Sequence, residues 1–193
     1  MARRVTRLCG CCLLVAVLLG GCAPLVIGGA VGAGLVAHDS RSLAEIADDQ
    51  LIQLRARGAI AGNSALRHRT HIQVYSENGT VLLTGQAPTP ELRDKALLLV
   101  RVIPHIKRIV NQIEIAPPST FAQRTEDSWL TAEVKAHLVA TRGVDPTHIR
   151  VITAHRVVYL MGLVPPSEGQ AAAVAASEVP GVRRIVELFD FNQ

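Results

Sequence analysis

Between residues 72 and 85 apolar and polar side chains alternate, interrupted once by a turn signal. Ile72 and Val74 precede Asn78-Gly79, and Val81, Leu83 and Gly85 follow it. A period of two marks strands, and Asn-Gly between two such runs marks a tight hairpin. (Asn78-Gly79-Thr80 is also a glycosylation sequon, which the hairpin explains better.) The spacing returns 77 residues later at Ile149, Val151, Val158, Leu160 and Gly162. A second block repeats too: Pro104-His-Ile-Lys-Arg-Ile-Val110 aligns with Pro180-Gly-Val-Arg-Arg-Ile-Val186 after a shift of one residue. Agreement in two separate blocks identifies a tandem repeat.

Each copy reads as helix, strand, strand, helix, strand. The first helix is expected from about Leu43 to Ile60, and in the second copy from about Asp127 to Ala140 with Asp127 or Ser128 as N-cap. After Pro88 or Pro165 a second helix runs over Glu91–Val102 or Ser167–Val179. The last strand carries Ile106, Ile109, Val110, Ile113 and Ile115, or Val182, Ile185, Val186, Phe189 and Phe191. Helices must cover one face of so small a sheet to bury a core. Pro117-Pro118-Ser119-Thr120 reads as the linker between copies.

The chain begins differently. Arg3, Arg4 and Arg7 precede twelve mostly apolar residues, Leu8 to Leu19, and the segment closes with Leu19-Gly20-Gly21-Cys22. That apolar run has the length of a signal-peptide core, and spanning a bilayer takes about 20 residues. Small residues before the cut and a thiol after it form a lipobox, so Cys22 is the expected lipidation site; the alternative is an ordinary secretory signal that happens to end in Cys. Cys9, Cys11 and Cys12 leave with the signal, so Cys22 is then the only cysteine and no intramolecular disulfide can form. One acyl chain anchors only marginally, whereas a diacylglyceryl group plus an N-terminal acyl chain anchors stably. Ala23 follows the cysteine, and the absence of Asp there favours the outer membrane, facing the periplasm. Residues 23–37 carry no charge and four glycines. They read as a tether or as a segment packing on a membrane or partner through Gly28 and Gly32.

Charge narrows the function. Of 20 Lys and Arg, three go with the signal, leaving 17 against 16 acidic residues. So balanced a chain has no broad nucleic-acid footprint. Residues 41–116 hold ten basic and seven acidic side chains, and residues 119–193 hold seven and eight. His68 and His71 are three apart in an expected loop with no Cys or carboxylate beside them, a poor zinc site. No Ser/His/Asp order or carboxylate pair can be argued, and neither enzyme nor cofactor is expected.

The unit Val-x-Leu-x-Gly, then a helix, then Val179-Pro-Gly-Val-Arg-Arg-Ile-Val186 resembles the BON domain of bacterial envelope proteins. Two such units behind a lipobox, with Asp127-Ser-Trp-Leu-Thr131 opening the second and Val158-Tyr-Leu-Met-Gly-Leu-Val164 inside it, resemble the dual-BON outer-membrane lipoproteins. The resemblance implies an α+β fold of two tandem domains packed together, each αββαβ with two helices on a small three-stranded mixed sheet. It also implies a non-enzymatic role in envelope integrity, with the second domain binding anionic phospholipids largely through its first helix. The organisation expected is a signal at 1–21, a lipidated tether at 22–40, BON domains at 41–116 and 126–193, and a linker at 117–125.

The second copy's first helix bears on the lipid site. At 100° per residue Leu130, Val134 and Leu138 form one stripe, while Trp129, Ala132, Ala136 and Val139 fall on another side. Lys135 and Arg142 are placed to reach phosphates. Trp favours boundaries with one apolar edge and one wet edge. The alternative is that Trp129 packs against the first domain or the linker. A second functional class also stands: an adaptor for outer-membrane assembly proteins using the same helix face.

Overall fold

A computed structural model describes residues 43–191, all within the compact unit Ala37–Gln193. Cys22, the signal segment and the tether lie outside the described residues. Domain 1 comprises α1 (Leu43–Gly62), α2 (Ser64–Arg69), β1 (His71–Glu77), β2 (Thr80–Ala87), α3 (Pro90–Arg101) and β3 (Arg108–Ile115). Domain 2 comprises α4 (Phe121–Ala140), β4 (Arg150–Ala154), β5 (Val157–Val164), α5 (Pro166–Ser177) and β6 (Arg184–Phe191). The αββαβ order holds in both copies, with α2 added in the first.

Each sheet has its middle strand antiparallel to the first and parallel to the last: β1-β2-β3 and β4-β5-β6. The hairpin loops have positive φ at both central residues, as a type I′ turn requires, at Asn78 and Gly79 and at His155 and Arg156. Side-chain alternation along the strands then divides the interior. Val81 and Leu83 face α1 and α3 with Ile52, Ala56 and Val100. Val158 and Leu160 face α4 and α5 with Leu130, Val134 and Leu138. The residues between them, Leu82 in one sheet and Val157, Tyr159 and Met161 in the other, meet in a third core joined by Ile152 and Leu188. The architecture is therefore helices, sheet, sheet, helices, with α1 and α4 on opposite outer layers.

Two sequence expectations change. Neither Asp127 nor Ser128 is an N-cap. The helix begins at Phe121, because Thr120 and Gln123 form a reciprocal capping box. His68 and His71 are not in a loop. Asn63 caps the short α2, which contains His68, and His71 opens β1.

Asp127 has another role. From the middle of α4 its carboxylate accepts the backbone N–H groups of His155 and Arg156, both at 2.9 Å. Asp49 on α1 does the same for Asn78 at 2.7 Å and Gly79 at 2.9 Å, and also accepts the Ser76 hydroxyl at 2.6 Å. Each domain thus ties its first helix to its hairpin turn through one carboxylate.

The polar rim between the sheets repeats with the domains exchanged. Glu114 on β3 meets His155 Nδ1 at 2.5 Å and accepts from Arg183 at 3.0 Å. Asp190, its counterpart on β6, accepts from Asn78 at 3.2 Å and lies 3.9 Å from Arg108. An acidic side chain on each last strand reaches the turn and the basic strand start of the other domain. That reciprocity is the mark of a two-fold pairing.

Candidate lipid-facing surface

Helix α4 has two apolar faces. Leu130, Val134 and Leu138 are buried in the domain 2 core. On another side Trp129 is 58% exposed and Val139 68% exposed, and Ala132, Lys135 and Ala136 are exposed with them. Trp129 thus lies open to solvent. Arg142 is exposed in the turn just past the Thr141 C-cap, close to the face in sequence but off the helix. The fold therefore gathers Trp129, Ala132, Ala136 and Val139 on one surface, with Lys135 on its flank and Arg142 beyond its end.

Sequence reasoning missed one member. Phe121 is 78% exposed and lies on the Val139 side of the same helix. It falls outside a helix begun at Asp127. The signal that could have found it is the Thr120-x-x-Gln123 pattern, which moves the start back by six residues.

Two cavities adjoin this helix. A groove of about 400 Å³ lies beside its C-terminal end, lined by Thr141 and by Ser167, Gln170, Ala171, Val174 and Glu178 at α5, and none of the residues of the Trp129 face lines it. A more polar cavity of about 300 Å³ lies where α4 meets β1 and β4. Its polar groups are largely engaged: Tyr75 donates to Gln73 at 2.9 Å, Thr131 to Thr153 at 2.8 Å, and Arg124 to the Ser119 carbonyl. Burial, and then the Arg124 guanidinium, hold the His71 imidazole below its ordinary 6.5. Among the described residues no group of three or more His, Cys, Asp or Glu is placed to hold a metal ion. Nor is any described helix long and apolar enough to cross a membrane.

Comparison with known proteins agrees with this architecture. The BON domain model matches residues 48–117 and again 126–193. The outer membrane lipoprotein DolP of Haemophilus influenzae is 32% identical over 175 residues, 91% of each chain. The 21 kDa hemolysin of Actinobacillus pleuropneumoniae is 32% identical over 155 residues, 80% of each chain. The osmotically-inducible protein Y of Escherichia coli is 23% identical over 141 residues, 72% of this chain and 70% of that one. With two matched domains, each a pair of helices on a three-stranded mixed sheet, and a full-length likeness to an outer-membrane lipoprotein, the chain belongs to the BON-domain family as a dual-BON outer-membrane lipoprotein resembling DolP.

Proposed function

We propose that this envelope lipoprotein is non-enzymatic, is held by acyl chains on Cys22 at the periplasmic face of the outer membrane, and helps maintain envelope integrity. Its second domain contacts anionic phospholipids through the outer face of α4. The observation that carries this reading is the open Trp129, set among Ala132, Ala136 and Val139 with Phe121 at one end and Lys135 and Arg142 beside it.

Magnitudes explain why an anchor and a face belong together. Each well-placed Lys or Arg contributes about 1 kcal/mol against an anionic leaflet. Partial burial of Trp, Phe and Val at ~25 cal/mol per Å² adds ~2–3 kcal/mol. The sum of ~4–5 kcal/mol corresponds to a Kd of roughly a millimolar. Such a face binds weakly from solution, but a short tether raises its effective concentration to about that level. The anchor keeps the chain at the membrane and the helix sets how it sits there.

The test uses the unacylated compact unit Ala37–Gln193. Co-sedimentation with phosphatidylglycerol vesicles should fall on Trp129→Glu and persist on Trp129→Phe. Equal sedimentation of Trp129→Glu and the unsubstituted protein would sink the reading.

A further inference from the structure

Helix α1 also carries an apolar face that its own core leaves uncovered. Its buried side is Asp49, Ile52, Gln53, Ala56 and Ile60. On the far side Leu43, Ala47, Leu51, Leu54, Gly58 and Ala61 fall within an arc of about 80° and run the length of the helix. All six are exposed, Leu43 at 67%, Leu51 at 45% and Leu54 at 69%. A helix of this kind, apolar on its outer side with cations around it, suits the boundary between head groups and acyl chains.

The charge around the stripe is predominantly basic, with Asp48, beside Arg55, paired to His105 at 3.1 Å. Arg55 flanks the stripe, and Arg67 and Arg69 are exposed on α2, with Arg67 and Ala61 lining one cavity at its C-terminal end. Among the described residues no carboxylate forms an ion pair with Arg55, Arg67 or Arg69. Ten basic against seven acidic residues in 41–116 make domain 1 the positive half of the molecule, whereas residues 119–193 hold seven and eight. Position in the chain adds to this. Only 20 residues lie between Cys22, the proposed anchor, and Leu43, so α1 is the described helix nearest that anchor along the chain.

We infer that the outer face of α1 is a second lipid-facing surface, whose occupant is the anionic phospholipid bilayer. The inference rests on the lipoprotein reading but not on α4. Because α1 and α4 lie on opposite outer layers of the sandwich, one flat bilayer meets one face at a time. The protein then either alternates between two orientations on its own membrane or presents the free face to another bilayer.

The acylated full-length protein, reconstituted in vesicles, provides the test. An environment-sensitive dye on Leu54→Cys should emit at shorter wavelength in phosphatidylglycerol-containing vesicles than in phosphatidylcholine vesicles. The shift should diminish when Leu51→Glu is added. The same dye on Glu187→Cys, exposed on strand β6, should not respond. Trp129 is the only tryptophan, so its emission reports the α4 face in the same sample. A silent Leu54 probe beside a responding Trp129 overturns the α1 inference and leaves the α4 reading standing. A responding Leu54 probe beside a silent Trp129 does the reverse, and silence of both removes both. A Leu54 shift that appears without anionic lipid and grows with protein concentration assigns the face to a second copy and overturns the inference.

Discussion

Replacing Asp49 by Ala should destabilise domain 1 far more than an ordinary helix substitution. The Asp49 side chain is buried, and its carboxylate accepts from Ser76 at 2.6 Å, Asn78 N at 2.7 Å and Gly79 N at 2.9 Å. The last two donors belong to the hairpin turn, whose backbone is held at positive φ. Truncation leaves these donors without their acceptor. Each unsatisfied buried group costs about 1–3 kcal/mol, and solvent reaching the turn offsets part of that. The expected loss is ~3–5 kcal/mol. At an m value near ~2 kcal/mol/M this moves the urea midpoint by ~1.5–2.5 M, read by far-UV circular dichroism. Asp49→Asn should recover little, because one of its two acceptor oxygens becomes an amide donor facing a backbone N–H. Asp127→Ala should cost less, ~1–3 kcal/mol, since Arg156 and its turn are more open to water. A midpoint shift below ~0.5 M for Asp49→Ala, at unchanged m, would show that the carboxylate does not hold the turn.

Other outcomes follow from single positions. Gly85→Ala and Gly162→Ala should each cost ~3–5 kcal/mol or prevent folding, seen as loss of cooperative thermal unfolding. A Cβ at Gly85 would lie 1.9 Å from the His71 carbonyl oxygen, and one at Gly162 2.1 Å from that of His148, with φ of +107° and +155°. His71 gives a pH dependence of known sign. Its imidazole is held below 6.5 in the folded state, so the unfolded chain takes up the proton first as pH falls. Its contribution to stability is full above 6.5 and is lost as pH drops through the folded value. His71→Gln should therefore flatten the acid-side fall in urea midpoint. Burial raises the phenols of Tyr75 and Tyr159 above 10.0, so stability should fall as pH rises past that value, and a Tyr159→Phe protein should lose part of the slope.

Much of the fold is legible in the sequence because period and repeat carry it. The Asn78-Gly79 turn and its alternating flanks read directly as a hairpin. The matching turn at His155-Arg156 has no such signal and is found only through the repeat, since two bulky residues hold positive φ there beside the Asp127 carboxylate. The middle strands run apolar on both faces, as in Val81-Leu82-Leu83 and Val157 to Met161. That pattern says both faces are covered, but nothing local says that each sheet covers the other. Asp49 and Asp127 are invisible as anchors, because an acidic residue in a helix looks like a solvated position until the turn it holds is in place.

The candidate surface was partly legible for a similar reason. A helical wheel separates Leu130, Val134 and Leu138 from Trp129 and Val139, and the structure buries the first set and exposes the second. Phe121 was missed because the linker was extended through the capping box. The α1 face was missed because that helix is apolar on two sides, and sequence alone does not say which side the sheet takes until Asp49 and Gln53 are found pointing inward.

The most direct test of the lipid contact at α4 is the emission of Trp129 as anionic vesicles are added to the unacylated unit Ala37–Gln193. The emission should move to shorter wavelength with phosphatidylglycerol, be quenched by brominated acyl chains, and revert at high salt, which screens the Lys135 and Arg142 contribution. An emission spectrum unchanged by phosphatidylglycerol vesicles, and unquenched by brominated lipid, would contradict that contact.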